Sequence, residues 1–452
     1  MKKLLIVSSM FCMSVSLSAQ TNDSIIMRQI FDETMNNGEA YDWLYDLCKN
    51  VGHRLSGSPQ ADMAVRWAEA TMKEAGFDKV WLQEVMVPHW VRGQKEYGEI
   101  MGVGQVEILA LGGSIATPEE GIIERVIEVQ SFDELKKIGK EKVKGKIVFF
   151  NAVFPQDVTN SFDGYGICGP YRWYGPDSAS AYGAIASITR SVSSAHDEFP
   201  HTGSTGFRSG NPAIPCVAIS TIDADKLHSA LQKNADTKFK MVLDCRMLGE
   251  KKSYNVIGEI TGTEFPNEII VVGGHLDSWD VGEGAHDDGA GCVHSMEVIR
   301  TLKALNIKPK RTIRCVLYMN EENGVMGGNG YADWAKTTDE KHLYALESDA
   351  GGFSPRGFSI DTDNKSAITN FAKLVSLFEE YGVTDFEEGY SGVDIRPLKV
   401  SGTICFGFRP DSQRYMDLHH TANDTFDKVN KRELHMGAAA MAMFCWWLSE
   451  YG

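Results

Sequence analysis

Long apolar runs, internal repeats and paired cysteines are what this 452-residue chain lacks. Beyond the first twenty residues no apolar stretch is long enough to span a bilayer, which argues against a helical membrane protein. Without repeats or low-complexity tracts, and with 43% apolar and 23% charged residues, solenoid and disordered architectures are set aside. Positive charge is scarce too: 45 Lys and Arg against 61 Asp and Glu leave a formal net charge of −16. A surface of that sign repels phosphate backbones and anionic lipid, so neither nucleic acid nor a membrane is expected as a partner. Of the nine cysteines, Cys12 lies in the leader and the other eight are widely spaced with no CxxC pair. They read as small buried hydrophobes, with room for at most one bridge. HExxH and GxSxG are absent, which removes the helix-borne zinc protease and the serine-nucleophile hydrolase.

What is present begins with Met1-Lys-Lys, an apolar centre and Ala19, the pattern of a secretory signal over residues 1–19. Its removal would take two lysines and bring the charge from −16 to −18, and the mature protein is expected to be exported, periplasmic or secreted. A chain this long exceeds one ordinary core, so two units are expected. Residues 20–113 with 252–452 read as one unit and 114–251 as an insert. In the first, helical spacing covers Thr21–Asn50 and Ala61–Ala75, closed by Gly76, and Val80–Val87 is a strand. In the insert, strand-like pieces at Ile122–Val129, Lys146–Asn151, Ala184–Ser187 and Ala213–Ile219 alternate with short helices. No ligand-like cluster appears there, so the insert is expected to shape access or contact a partner rather than carry chemistry.

The stretch Ile269–Gly352 organises the rest. Ile269–Val272, Arg311–Met319 and His342–Glu347 are apolar, β-rich runs of the kind covered on both faces, and Gly289–Leu305 is a crossover helix between the first two. The resulting fold class is α/β, a mixed and mostly parallel sheet flanked by helices. Ligands of such sheets sit beyond the carboxyl ends of the strands, and these runs end in His275, Asp277, Asp287, Glu321, Glu322 and Asp349. The tail adds His419 and His420 in a loop, then a helix over Arg432–Leu448. Two divalent ions about 3.5–4 Å apart need imidazoles and carboxylates from several strand ends, one carboxylate being shared. His275 takes one ion with Glu322 or Asp349, His420 the other with the remaining carboxylate, and Asp287 bridges. Asp277 and Asp424, two and four residues beyond the imidazoles, are placed to accept the second N–H of each ring. Of Glu321 and Glu322, one holds metal and the other takes a proton. His286 and His294 read as structural.

Five motifs carry a family resemblance: His275-Leu-Asp-Ser, Gly284-Ala-His-Asp-Asp-Gly-Ala-Gly291, Asn320-Glu-Glu-Asn-Gly324, Glu347-Ser-Asp-Ala-Gly351 and His420-Thr-Ala-Asn-Asp-Thr425. They resemble the metal-site motifs of metallopeptidase family 28, the co-catalytic di-zinc exopeptidases. Val143–Phe150 and Ile214–Ser220 resemble a protease-associated domain. The resemblance implies a zinc-exopeptidase fold with a β-rich insert and two Zn²⁺ per chain, held by His275, Asp287, Glu322, Asp349 and His420. It implies Glu321 as general base and then acid, Asp277 beside it in the catalytic set, and His419 as a substrate or oxyanion contact. Asp288 would serve a tight, cis peptide at Asp287. The substrate would be a dipeptide or short peptide and the assembly a homodimer. Aminopeptidase action is the alternative. A metal-dependent amidase or an inactive peptide-binding relative stands further off, and a single-zinc glutaminyl cyclase is disfavoured by the presence of both His275 and His420.

Overall fold

The computed structural model describes residues 22–207 and 209–452. The leader expected at 1–19 lies outside them. Among the described residues no helix is long and apolar enough to cross a membrane.

The first of two eight-stranded sheets runs in the order Lys79–Val91, Arg246–Ile260, Arg311–Tyr318, Phe265–His275, Lys341–Glu347, Ile404–Pro410, Pro355–Asp361, Asp385–Glu388. Phe265–His275 pairs in parallel with both neighbours, and the flanking strands turn antiparallel, which makes the sheet mixed as expected. Strand periodicity divides the β-branched run between two cores. Ile270 and Val272 face one layer with Val293, Met296 and Phe444, while Ile269 and Val271 face another with Tyr331 and Ala332. Burial on both faces is why the run is apolar throughout and why a one-residue slip is not tolerated. The crossover helix Ala290–Ala304 and the terminal helix Lys431–Tyr451 lie side by side on the first face.

The helix expected over Thr21–Asn50 is instead broken at Gly38, into 22–37 and Ala40–Asp46 followed by one wider turn, Leu47–Val51. The cause is not local. Glu297, buried on the crossover helix, accepts the Glu39 and Ala40 backbone N–H groups at 3.0 and 3.1 Å. This satisfies orphan donors at a fresh helix start. The next helix, Pro59–Glu74, is capped by Ser58 and follows a loop whose Arg54 is fully buried.

The second sheet takes strands from Glu96 to Leu243 in the order Gly104–Val106, Glu96–Ile100, Lys238–Leu243, Ile122–Val129, Ile147–Phe150, Ala186–Arg190, Cys216–Ile219, Ile108–Ala110. Its first strands thus lie upstream of Ser114, where the insert was expected to begin. Trp279, just past His275, packs into this sheet's core beside Trp90. All eight described cysteines are buried and unpaired.

Candidate metal centre

The carboxyl ends of Phe265–His275, Arg311–Tyr318 and Lys341–Glu347 lie side by side, and the loop around His420 closes over them. Asp287 is at the centre. Its Oδ1 is 3.2 Å from His275 Nε2 and its Oδ2 is 3.3 Å from His420 Nε2. Asp349 Oδ1 stands 3.5 Å from His275 Nε2, and Glu322 Oε2 stands 3.1 Å from His420 Nε2. The pairing that the spacing left open is therefore His275 with Asp349 and His420 with Glu322. Two ligand groups share Asp287: His275, Asp287 and Asp349, and Asp287, His419 and His420, each with donor atoms within 4.8 Å of one another.

The tautomers indicate what such a cluster is fit to hold. His275 Nδ1 is 2.9 Å from the Asp277 carbonyl oxygen and His420 Nδ1 is 3.1 Å from the Thr202 carbonyl oxygen. A carbonyl only accepts, so each Nδ1 carries the proton and each Nε2 is left with its lone pair. Those lone pairs face carboxylate oxygens, an arrangement that calls for positive charge between them, a bound cation or, without one, a second proton on the ring. The donor set fits two divalent ions on that ground. Without such ions, burial lowers His420 but the Glu322 and Asp287 carboxylates outweigh it and raise it to about 9. Burial and the Asp287 charge push Glu322 up to about 7.

Asp277 and Asp424 do not take the roles their spacing suggested. The turn after His275 brings the Asp277 carbonyl under the ring, whereas the Asp277 carboxylate accepts the Asn320 and Glu321 N–H groups at 2.6 and 3.1 Å. Asp424 accepts the His286 and Asp287 N–H groups at 2.8 and 3.1 Å instead of serving His420. The peptide between Asp287 and Asp288 is cis. Asp288 ties strand to helix, accepting from His275 N at 3.0 Å and Gly291 N at 2.9 Å. Gly274 can be nothing larger, because a β-carbon there would run into the Asp288 carboxylate and the Ser348 carbonyl.

Glu321 lies beside His275, Asp349 and Glu322. Burial raises its carboxyl well above the usual range; His275 opposes this while Asp349 and Glu322 add to it. His419 is buried, stacks on His420 with ring centres 3.5 Å apart, and brings Nε2 to 3.8 Å from Asp287. His286 stacks on Phe353 and His294 is buried in the core helix. Glu347 holds the neighbouring loop by accepting N–H groups from Val393, Asp394 and Ile395 at 2.9–3.0 Å.

Sequence reasoning missed three contributors, all from the second sheet's segment. Thr202 has been named; Arg172 approaches His420 Nδ1 to 3.3 Å, and Tyr165 meets the His419 ring edge-on at 5.2 Å. The segment thus reaches the two imidazoles from outside, through Thr202, Arg172 and Tyr165. Nothing local marks these residues.

The model of peptidase family M28 matches residues 255–445, which hold every candidate ligand. Carboxypeptidase Q of Bos taurus is 33% identical over 421 residues, 93% of this chain and 87% of that protein. The chain belongs to peptidase family M28. Membership and these relatives support a metallo-exopeptidase as the enzyme class. A solved M28 peptidase precursor from Shewanella amazonensis SB2B superposes with a TM-score of 0.91 at 34% identity, covering 95% of this chain and 97% of that one. BSAP, a zinc aminopeptidase from Bacillus subtilis, shares the fold with a TM-score of 0.63 at 19% identity, over 90% and 95% of the two chains. Arg172 and Tyr165 fall outside the segment that defines the M28 match.

Proposed function

We propose that this M28 chain is an exported, zinc-dependent exopeptidase that hydrolyses dipeptides or short peptides in the manner of carboxypeptidase Q. His275 and Asp349 would hold one ion, His420 and Glu322 the other, and Asp287 both. The observation that carries this reading is the Asp287 carboxylate set between two imidazoles at 3.2 and 3.3 Å. Bound there, two zinc ions would supply the positive charge that acidifies water and polarises a peptide carbonyl. Glu321 would accept the proton of the attacking water and return it to the departing nitrogen; its burial beside like charges supports that exchange. His419, kept neutral by burial and by His420, would donate to the developing oxyanion. Asp277 would fix the backbone from which Glu321 projects.

Residues 1–19 would be removed on export. The M28 unit would work with the segment expected at 114–251, whose sheet reaches back to Glu96, as its insert, and two copies would pair as a homodimer. A panel of a free dipeptide, its N-acetylated form, its C-amidated form and an aminoacyl anilide tests the activity, with wild type and Glu321→Gln, each with and without chelator. Cleavage of the free dipeptide that chelator stops is expected, with tolerance of a blocked amine. Tolerance of a blocked carboxylate instead makes the enzyme an aminopeptidase. No turnover by protein carrying two zinc ions would overturn the peptidase reading in favour of an amidase or a binding role.

A further inference from the structure

We infer that Arg172 and Thr202 are positioning residues for the imidazole of His420, so that the second sheet's segment completes the metal centre as well as roofing it. The inference rests on the zinc reading of His420. His420 holds φ +65°, a left-handed conformation that is costly for a residue with a β-carbon and persists only where surroundings enforce it. Thr202 enforces it from both sides. Its N–H donates to the His420 carbonyl at 3.0 Å, and its carbonyl accepts from His420 Nδ1 at 3.1 Å. The second bond fixes the tautomer that leaves Nε2 free toward Asp287 and Glu322.

Thr202 is itself held. Its Oγ1 donates to the Ala110 carbonyl at 2.8 Å, on the edge strand of the second sheet. Arg172 fills the space behind the loop: Nη1, 3.3 Å from a His420 Nδ1 that in this tautomer accepts nothing, donates to the Thr202 carbonyl at 3.4 Å, and Nη2 donates to the Tyr165 hydroxyl at 2.6 Å. Arg172 is 5% exposed, so water has little access to replace these contacts. The loop is shaped around it, since a β-carbon on Gly203, at φ +141°, would collide with the guanidinium. Tyr165 carries the same support to His419 through its ring edge. Removing the Arg172 fork would free the Thr202 carbonyl to drift and let the His420 ring turn, while the ion at His275 and Asp349 would keep all its ligands and change far less.

The test is stepwise metal titration of apo-protein by competition against a chromogenic chelator, with Co²⁺ spectra as a second readout, on wild type, Arg172→Met, Arg172→Lys and Tyr165→Phe. For Arg172→Met we expect one of two zinc ions to weaken roughly 10- to 100-fold, the scale found when a metal ligand loses its outer partner, with the other changed far less. Arg172→Lys should recover part of the loss, and kcat should fall more than KM changes. Two ions bound by folded Arg172→Met at wild-type affinity would overturn the positioning role while leaving the zinc reading intact. If Arg172→Met fails to fold, Tyr165→Phe decides: a selective weakening of the same ion supports the role, and unchanged affinities overturn it. Wild type that binds no zinc would instead sink the metal reading itself.

Discussion

Asp277 Oδ1 accepts the backbone N–H of Asn320 at 2.6 Å, and Asn320 holds φ +77°. The same oxygen accepts the Glu321 N–H at 3.1 Å, so a carboxylate from one strand end dictates how the next strand releases its two glutamates. Asp277→Ala should lower kcat by on the order of 10- to 100-fold, the cost of losing an outer partner at a metal site. Zinc content should stay near wild type, because no ligand is removed. Asp277→Asn keeps an acceptor oxygen and should lose less. Equal losses in the two variants, measured with steady-state kinetics beside zinc analysis, would show that the charge matters and not the bond.

Glu321 and Glu322 are adjacent but are predicted to fail differently. Glu321→Gln should retain both ions and lose about 10²- to 10⁴-fold in kcat, the usual contribution of a positioned proton carrier. Glu322→Gln removes a carboxylate 3.1 Å from His420 Nε2 and should lose one ion. Metal analysis of the two purified variants separates them. If Glu321→Gln loses zinc and Glu322→Gln keeps it, the two roles are reversed.

The candidate cluster was legible in part because His275, Glu322 and Asp349 sit at or just past the ends of consecutive strands, where an apolar run gives way abruptly to imidazole or carboxylate. The order of strands was not needed for that. What could not be read depends on parts of the chain that meet only in space. The break at Gly38 rests on Glu297, far along the sequence, which caps a second helix start. Asp277 and Asp424 sat at tempting distances from His275 and His420, but spacing cannot say whether a side chain or its carbonyl turns to the ring. Arg172 is 248 residues from His420 and carries no motif, so the contribution of the second sheet appears only once both sheets are folded.

The terminal helix should be as important to stability as any strand. Phe444 is fully buried, stacks on Phe358 with ring centres 4.4 Å apart and meets Phe406 edge-on at 5.0 Å. Phe444→Ala should cost roughly 3–5 kcal/mol, combining lost transfer energy with the cavity left between the rings. A urea melt reads this as a lower midpoint at unchanged slope. A loss under about 1 kcal/mol would mean that the aromatic cluster closes around the gap.

His294 predicts acid sensitivity. Its Nε2 donates to the Leu434 carbonyl at 3.0 Å, its Nδ1 accepts from Ser348 Oγ at 3.1 Å, and burial pulls it from 6.5 down to about 3. Folded His294 thus stays neutral where unfolded His294 takes a proton. Its contribution is complete above pH 6.5 and is lost as pH falls toward 3, by at most about 1.4 kcal/mol per pH unit. In urea melts of the zinc-loaded protein between pH 7.5 and 5, the advantage of wild type over His294→Asn should shrink as pH falls. A constant difference would show that the site admits water.

Zinc should stabilise the protein more as pH rises, because removing it exposes groups that then prefer to keep protons. In metal-free protein Glu322 is raised from 4.5 to about 7 and His420 from 6.5 to about 9. A raised folded-state pKa stabilises below the unfolded value and ceases to do so as pH climbs through the folded one. Glu322 therefore withdraws support between about 4.5 and 7, and His420 between 6.5 and 9. Asp287 is pulled far below 3.8: burial opposes that shift, but hydrogen bonds from His275 and His420 outweigh it, so its contribution is constant over this range. Bound zinc removes these penalties, since its ligands are already deprotonated. Melting temperatures of matched apo and zinc-loaded samples, taken from pH 5.5 to 9, should diverge with increasing pH. Groups such as His294 titrate alike in both samples and cancel in the difference. A gap that is flat or narrows with pH would mean that the buried carboxylates and imidazoles are not the groups that meet the metal.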